Sequence, residues 1–209
     1  MARDLTVGAG DVLAVLRIGA QWVAVARMFT AAITDPPPII AAPNPTEVVR
    51  TGTLVVSPVD TGSYRASFGW RTDNTDVSQG DDGRGNHTGA VFYGDAPRSL
   101  TGATVTGATV QVQRIQGGTF TAQATTMRLM TESTKPGGTP TLTSTTAGPS
   151  LAVDTETIFT VPNSWAQAMV NGTAGGIAFF DSDGSPFVRF AGRGSWSPAF
   201  TLAITWQRG

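Results

Sequence analysis

The chain has 209 residues and a formal net charge of −1, carries charge on only 14% of its residues and contains no cysteine. A chain of this length can bury a core without disulfide bonds, and the lack of cysteine excludes thiolate zinc sites and thiol nucleophiles. The single lysine and the 13 arginines are spread along the chain, so no basic stripe predicts nucleic-acid binding.

The first apolar region, residues 12–28, consists of two runs separated by Gly19, Ala20 and Gln21. Two such runs around a short glycine-containing loop predict a β-hairpin. A helix is the alternative, although Gly19 would cost it about 1 kcal/mol. Arg17 and Arg27 interrupt the region, so we expect no membrane insertion; a secretory signal peptide, with a cleavage region at 29–32, is a further alternative.

Prolines dominate the next segment, with three at positions 36–38 and two more at Pro43 and Pro45. Proline fixes φ and removes a backbone donor, which favours an extended spacer. The sequence therefore predicts three parts: an N-terminal β-hairpin assembly arm at 1–35, a Pro-rich linker at 36–47 and a β-sandwich domain at 48–209.

Within 48–209, apolar and polar residues alternate in several segments, among them 64–71, 108–113 and 200–206. Period-two alternation places one set of side chains inward. The fold class predicted is all-β, an antiparallel β-sandwich or jelly roll. We expect Phe68, Trp70, Phe200 and Trp206 in the core, and a hairpin joining 177–180 to 187–190.

One short helix is predicted near residue 165. Ser164 and Gln167 have the spacing of a capping box, and Gly172 can close the helix in a left-handed conformation. Trp165, Ala168 and Met169 would share its buried face.

The sequence is poor in catalytic equipment, and we expect no enzyme. Its one histidine, His87, lies in a glycine-rich segment and is expected to be solvated. Aspartates cluster at 73–82, where turn formation is the first interpretation and calcium binding the second. Asp181 and Asp183 form a second candidate calcium site, which lacks the downstream glutamate of an EF-hand.

Two aromatic residues, Tyr93 and Trp196, lie beside glycine or serine in loop-like segments. An exposed aromatic ring can stack on the apolar face of a sugar, so both are candidate glycan-binding residues. Burial in the core is the alternative for each.

Short motifs follow one another in order through residues 48–208. They include Tyr64-Arg65, Gly69-Trp70-Arg71, Phe92-Tyr93-Gly94, Val161-Pro162 and Ser197-Pro198-Ala199-Phe200. In this order they resemble the DNRLRE-like β-sandwich (jelly-roll) modules of actinobacteriophage minor tail proteins. The resemblance implies a trimeric virion component near the tail tip or in a tail fibre, and it implies no catalytic residues.

The first functional hypothesis is therefore a phage virion structural protein of the tail, made in the bacterial host cytoplasm, which attaches to the host surface. Its expected partners are other virion tail proteins, two further copies in a homotrimer, and a host cell-wall glycan. The residues expected to make assembly contacts are Trp22, Val23, Val25, Met28 and Phe29. A carbohydrate-binding module of a cell-wall-acting protein and a capsid decoration protein are the alternatives.

Overall fold

The protein is described here from a computed structural model, in residues 12–28, 48–182 and 186–209. The chain divides into two units, Met1–Thr46 and Glu47–Gly209. The predicted linker at 36–47 lies outside the described residues, so its extended conformation stays a prediction.

The first unit contains a β-hairpin of strands β1 (Val12–Ile18) and β2 (Gln21–Met28), which pair antiparallel. Gly19 in the connecting turn has a φ of 62°, a conformation that glycine adopts without the steric cost of a Cβ. The predicted hairpin is confirmed and the helix alternative is wrong. Leu16 and Ile18 of β1 are 54% and 62% exposed.

The second unit is built almost entirely from strands, and every ladder between the described strands is antiparallel. The strands are β3 (Arg50–Val56), β4 (Asp60–Arg65), β5 (Gly69–Trp70), β6 (Val77–Asp81), β7 (Asn86–Phe92), β8 (Thr104–Ile115), β9 (Thr126–Met130), β10 (Leu142–Ala147), β11 (Thr155–Thr160), β12 (Gly176–Phe179), β13 (Val188–Phe190) and β14 (Leu202–Arg208). The predicted all-β sandwich is confirmed.

The sandwich is one large sheet that curls over onto itself. One layer has the order β10-β9-β12-β7-β4-β5, and the other contains β6, β13, β8, β14 and β3, with β11 also paired to β8. Strand β6 joins the layers, because Gly80 and Asp81 pair with β7 while Val77, Ser78 and Gln79 pair with β13.

The core fills the space between the layers. Ala108, Val110 and Val112 of β8 are buried, as their alternation predicts, and so are Leu202 and Ile204 of β14. Each fully buried valine, leucine or isoleucine side chain contributes about 1.5–3 kcal/mol. The rings of Phe179, Phe190 and Phe200 lie 4.9–6.3 Å apart, centroid to centroid, and link the two layers.

The alternation at 64–71 is not one strand. The chain turns between β4 and β5, where the Phe68 amide donates to the carbonyl of Arg65 at 3.1 Å. Phe68 is 65% exposed, so its predicted place in the core is wrong. The turn interrupts the side-chain alternation on which that prediction rested. Trp70 and Trp206 are half-buried, and Phe200 is buried but lies in a turn before β14.

The predicted hairpin between 177–180 and 187–190 is also wrong. Strand β12 pairs with β7 and β9 in one layer, whereas β13 pairs with β6 and β8 in the other. Both short strands are almost completely buried, and each gains neighbours on both edges by entering a different layer.

Helix α1 (Asn163–Val170) occupies the predicted position, with Trp165 and Met169 buried. The capping box is absent: Pro162 is the N-cap and no side chain caps the helix. Gln167 instead accepts a hydrogen bond from the Val105 amide at 2.8 Å and so ties the helix to β8.

Gly172 closes the C-terminus of α1 with a φ of 75°, as predicted. A 3₁₀-helix, Ala96–Leu100, is the other helical element described.

Arg114, near the end of β8, is completely buried, and no carboxylate in the described chain pairs with it. Its guanidinium instead donates to main-chain carbonyls: Nη1 to Thr121 (2.6 Å) and Leu151 (2.5 Å), and Nη2 to Thr119. Burial lowers the pKa of Arg114, yet an arginine stays protonated in a protein. The buried Arg114 side chain therefore connects the 117–121 loop to Leu151 through hydrogen bonds to their main-chain carbonyls.

We expect Arg114→Lys to lower the free energy of unfolding by about 2 kcal/mol, because an ammonium group cannot span the carbonyls that the planar guanidinium reaches. Urea titration measures the effect. The control is Arg208→Lys in β14, an exposed arginine that donates to a single carbonyl. Equal unfolding midpoints for the two variants would contradict the role given to Arg114.

Candidate functional site

Tyr93, the first predicted sugar-stacking residue, is completely buried. Its hydroxyl donates to the carbonyl of Phe200 at 2.9 Å, and burial raises the pKa of Tyr93 well above its usual range. A ring enclosed on all sides cannot stack on a ligand, so this prediction is wrong. The short sequence context of Tyr93 resembles a loop, but the residue directly follows the buried strand β7.

Trp196, the second candidate, is half-buried and packs against the core. It borders two grooves. The serine groove, about 390 Å³, is lined by Ser57, Pro58, Arg193, Ser195, Trp196 and Ser197, among others. The β11 groove, about 240 Å³, is lined by Gln111, Glu156, Thr157, Ile158 and Trp196. The structure therefore places Trp196 where a ligand lying in either groove would touch it.

The loop that carries Trp196, residues 191–201, is fixed by main-chain hydrogen bonds. The amides of Ser195 and Trp196 both donate to the Gly192 carbonyl, at 2.9 and 3.1 Å. At its other end the loop exchanges hydrogen bonds with Gln111 of β8: the Phe200 amide donates to Gln111 at 2.8 Å, and the Gln111 amide donates to Thr201 at 3.1 Å. These bonds hold Trp196 beside the outer face of β8.

Asp76, a carboxylate only 1% exposed, anchors the same loop. Its Oδ1 accepts from the Gly192 amide (3.0 Å) and the Ser195 hydroxyl (2.6 Å). Its Oδ2 accepts from Arg189 Nε (2.9 Å) and from a second guanidinium nitrogen of that residue. Burial by itself raises the pKa of Asp76, but the donors outweigh it, so the pKa lies below its usual value.

Two threonines complete the attachment of the loop. The Thr61 hydroxyl donates to the Thr75 carbonyl at 2.6 Å and accepts from the Arg193 amide at 3.0 Å, while the Thr75 hydroxyl accepts from Gly194 at 2.9 Å. A Cβ at position 192 would lie 1.8 Å from the Thr75 carbonyl oxygen. Only glycine permits this close approach.

Phe200 closes the loop in a strained conformation. Its φ is 54°, which is uncommon for any residue with a Cβ and rare for one with a bulky side chain. Aromatic packing and the bond from Tyr93 hold it there. Backbone strain of this kind costs about 1–3 kcal/mol and is concentrated at functional sites, so it adds weight to the choice of this loop as the candidate site.

The β11 groove presents polar groups that the protein itself leaves unused. Within the described part of the chain, the side chains of Gln111 and Glu156 form no hydrogen bond or ion pair. Ile158, the cross-strand partner of Gln111, is 68% exposed. The groove thus offers an amide, a carboxylate and an apolar surface beside an aromatic ring.

His87 is not a solvated loop residue. It lies in β7, paired with Arg65 of β4 on one side and Gly80 of β6 on the other, and is completely buried. Its Nε2 is 3.1 Å from Asp82 Oδ2. Burial lowers the pKa of His87 although Asp82 opposes that shift. The prediction that His87 is solvated is wrong, because β4 and β6 pair with β7 on either side and bury this glycine-rich segment.

Asp81 and Asp82 form turns, which is the first of the two interpretations given for the acidic segment at 73–82. Asp81 Oδ1 accepts from the Gly83 and Gly85 amides, and Asp82 Oδ1 accepts from Arg84. No group of three or more acidic or histidine residues that could hold a metal ion occurs within residues 12–28, 48–182 and 186–209.

The second candidate calcium site is only partly described. Asp181 accepts hydrogen bonds from the Thr126 hydroxyl (3.0 Å) and the Ser182 amide (2.8 Å). Asp183 lies outside the described residues, so calcium binding by Asp181 and Asp183 stays a prediction.

The expected assembly contacts also remain predictions. The main chain of Trp22, Val23, Val25 and Met28 is part of β2, but their side chains lie outside the described part of the structure. Phe29 lies outside it altogether.

Sequence reasoning missed Asp76 as the anchor of the Trp196 loop, and it did not assign Gln111, Glu156 or Ile158 to a site. The alternation in β8 places Gln111 on the outer face, but no local signal brings Glu156 and Trp196 to the same groove. Asp76 and Ser195 are 119 positions apart, a separation that only the folded sheet closes.

We expect Asp76→Asn to lower the free energy of unfolding at pH 7 by about 3 kcal/mol, because the substitution leaves Arg189 without its buried partner. The folded-state pKa of Asp76 is lowered, so its stabilising contribution is complete above the unfolded value of about 3.9 and is lost as the pH falls below it. The difference between wild type and variant should therefore shrink at acid pH.

Urea titrations at pH 7 and at pH 3 measure both effects. The control is Asp95→Asn, since the Asp95 side chain is 77% exposed and pairs with Arg98 at the surface. Similar losses at pH 7 for the two variants, or no dependence on pH, would contradict the anchoring role of Asp76.

No helix among the described residues is long and apolar enough to span a membrane. A scan of protein-family models found no match to this chain, and a search of curated proteins found no similar sequence.

Proposed function

We propose that the protein is a non-enzymatic structural component of a phage virion, in the tail or a tail fibre, whose β-sandwich attaches to the host surface through the Trp196 loop. The observation that carries the attachment role is a half-buried tryptophan between two grooves on a loop that Asp76 holds in place. The order of motifs in 48–208 supports the assignment to a tail protein.

The chemistry of the loop supports binding over catalysis. The Ser195 hydroxyl donates a hydrogen bond to Asp76, a carboxylate whose lowered pKa makes it a weak base. The bond therefore positions the loop and does not generate a nucleophile. Glu156 is the only carboxylate that lines either groove in the described structure.

The N-terminal hairpin supports assembly with other chains. A two-stranded hairpin is only marginally stable by itself in water, and the exposed Leu16 and Ile18 present apolar surface. Packing of residues 1–35 against neighbouring tail proteins, and against the arms of two further copies in a homotrimer, would bury that surface.

A carbohydrate-binding module of a cell-wall-acting protein is the second candidate, and the Trp196 grooves favour it as much as they favour attachment. The two differ in location: the tail protein is present in purified virions, whereas the module is not. A capsid decoration protein would also be found in virions, but its copy number would follow the capsid symmetry.

We expect Trp196→Ala to weaken binding to isolated host cell-wall polysaccharide by about thirtyfold, since removing a central aromatic contact costs about 2 kcal/mol. Calorimetric titration measures the affinity. The control is Phe68→Ala, which removes an exposed aromatic ring that lines neither groove. Equal binding by wild type and Trp196→Ala would overturn the attachment role of the loop.

We expect deletion of residues 1–35 to abolish incorporation into virions and to convert the trimer to a monomer. Light scattering after size exclusion, and immunoblots of purified particles, measure the two outcomes. The full-length double variant Leu16→Asp, Ile18→Asp should behave in the same way, because charge would oppose burial of β1. Phe68→Ser is the control, and normal incorporation of the truncated chain would contradict the anchoring role.

A further inference from the structure

We propose that the β11 groove recognises the acetamido group of an N-acetylated hexosamine unit in a surface glycan while Trp196 stacks on the sugar ring. This inference rests on the proposed attachment function and names the class of glycan that the site would take.

The strand register places the three recognition groups on one face. Gln111 of β8 and Ile158 of β11 are direct cross-strand partners, so their side chains project to the same side of the sheet with Cβ atoms about 5 Å apart. Glu156 is two residues before Ile158 in β11 and therefore projects to that side as well. Trp196 closes the groove from the neighbouring loop.

An acetamido group requires three complementary contacts: an acceptor for its N–H, a donor for its carbonyl and an apolar surface for its methyl group. The ionised Glu156 carboxylate only accepts hydrogen bonds, and the Gln111 amide can donate two. Ile158 supplies the apolar surface and is 68% exposed. All three contacts thus lie beside one aromatic ring.

These groups are available for a ligand. Neither polar side chain is bonded to another residue in the described chain, and neither belongs to the Asp76 network that holds the loop. Binding would therefore cost no existing hydrogen bond within this part of the protein. A sugar with only hydroxyl groups would leave the Ile158 surface without its methyl partner.

The contacts of Gln111 and Ile158, and not the charge of Glu156, distinguish an acetylated sugar from its amine. A free hexosamine carries a positive charge, which Glu156 would attract, but it offers neither the carbonyl for Gln111 nor the methyl group for Ile158. The groove therefore predicts selection of the acetylated form, and a preference for the amine would show that charge alone governs binding.

The test uses the full-length protein and three β-1,4-linked tetrasaccharides: that of N-acetylglucosamine, its deacetylated glucosamine form, and that of glucose. We expect the acetylated oligomer to bind at least tenfold more tightly than the other two, by calorimetric titration. Ile158→Ser and Gln111→Ala should each weaken binding of the acetylated oligomer about fivefold and leave the glucose oligomer unaffected. Thr160→Ser, an exposed change in the same strand outside the groove, is the matched control.

The outcomes separate this inference from the function on which it rests. Equal binding of the acetylated and glucose oligomers, or tighter binding of the glucosamine oligomer, would overturn the acetamido inference. If Trp196→Ala nevertheless lost its affinity for these oligomers, glycan attachment through the Trp196 loop would still stand. If none of the oligomers binds, the acetamido inference fails. If Trp196→Ala also leaves cell-wall binding unchanged, the proposed attachment function fails with it.

Discussion

The arrangement of the candidate site depends on the hydrogen bonds and the ion pair that the buried carboxylate of Asp76 forms. It directly precedes β6, the strand that joins the two layers, and it bonds to Arg189 of β13 and to Ser195 in the Trp196 loop. Burying an ionised carboxylate costs several kcal/mol unless nearly all of its acceptor capacity is used. Because the donors come from β13 and from the loop, the group that stabilises the charge also fixes the loop against the sheet.

Because few residues are charged, hydroxyl groups form many of the hydrogen bonds that main-chain carbonyls accept in the rest of the fold. With 31 threonines in the chain, hydroxyls supply many of the bonds that connect loops to strands. Thr61 donates to Thr75, and Thr125 donates to Pro149 at 2.7 Å. A hydroxyl bonds to a carbonyl at a smaller desolvation cost than a charge, so it suits these buried junctions. The buried charges of Asp76 and Arg114 organise loops, where several backbone groups must be satisfied together.

The rigidity of the Trp196 loop would favour the proposed attachment function. A loop that is ordered before the ligand arrives loses less conformational entropy on binding. The bonds that the loop amides donate to the Thr61 and Thr75 hydroxyls, and the strained φ of Phe200, restrict the Trp196 loop in this way. The two units differ in burial: the sandwich contains its own core, whereas the hairpin exposes Leu16 and Ile18, the apolar surface that the proposed assembly would cover.

Local patterns determined the strand class, the N-terminal hairpin and the position of α1, because alternation in β8 and β14 and the left-handed closure at Gly172 depend on neighbouring residues only. Tertiary structure decided the rest. It buried Tyr93 and His87 between strands, moved Gln167 from a helix cap to β8, and placed β12 and β13 in different layers. It alone brought Gln111, Glu156 and Trp196 to one groove, because pairing between strands distant in the chain is set by the burial of the whole sheet and leaves no signature in a local segment.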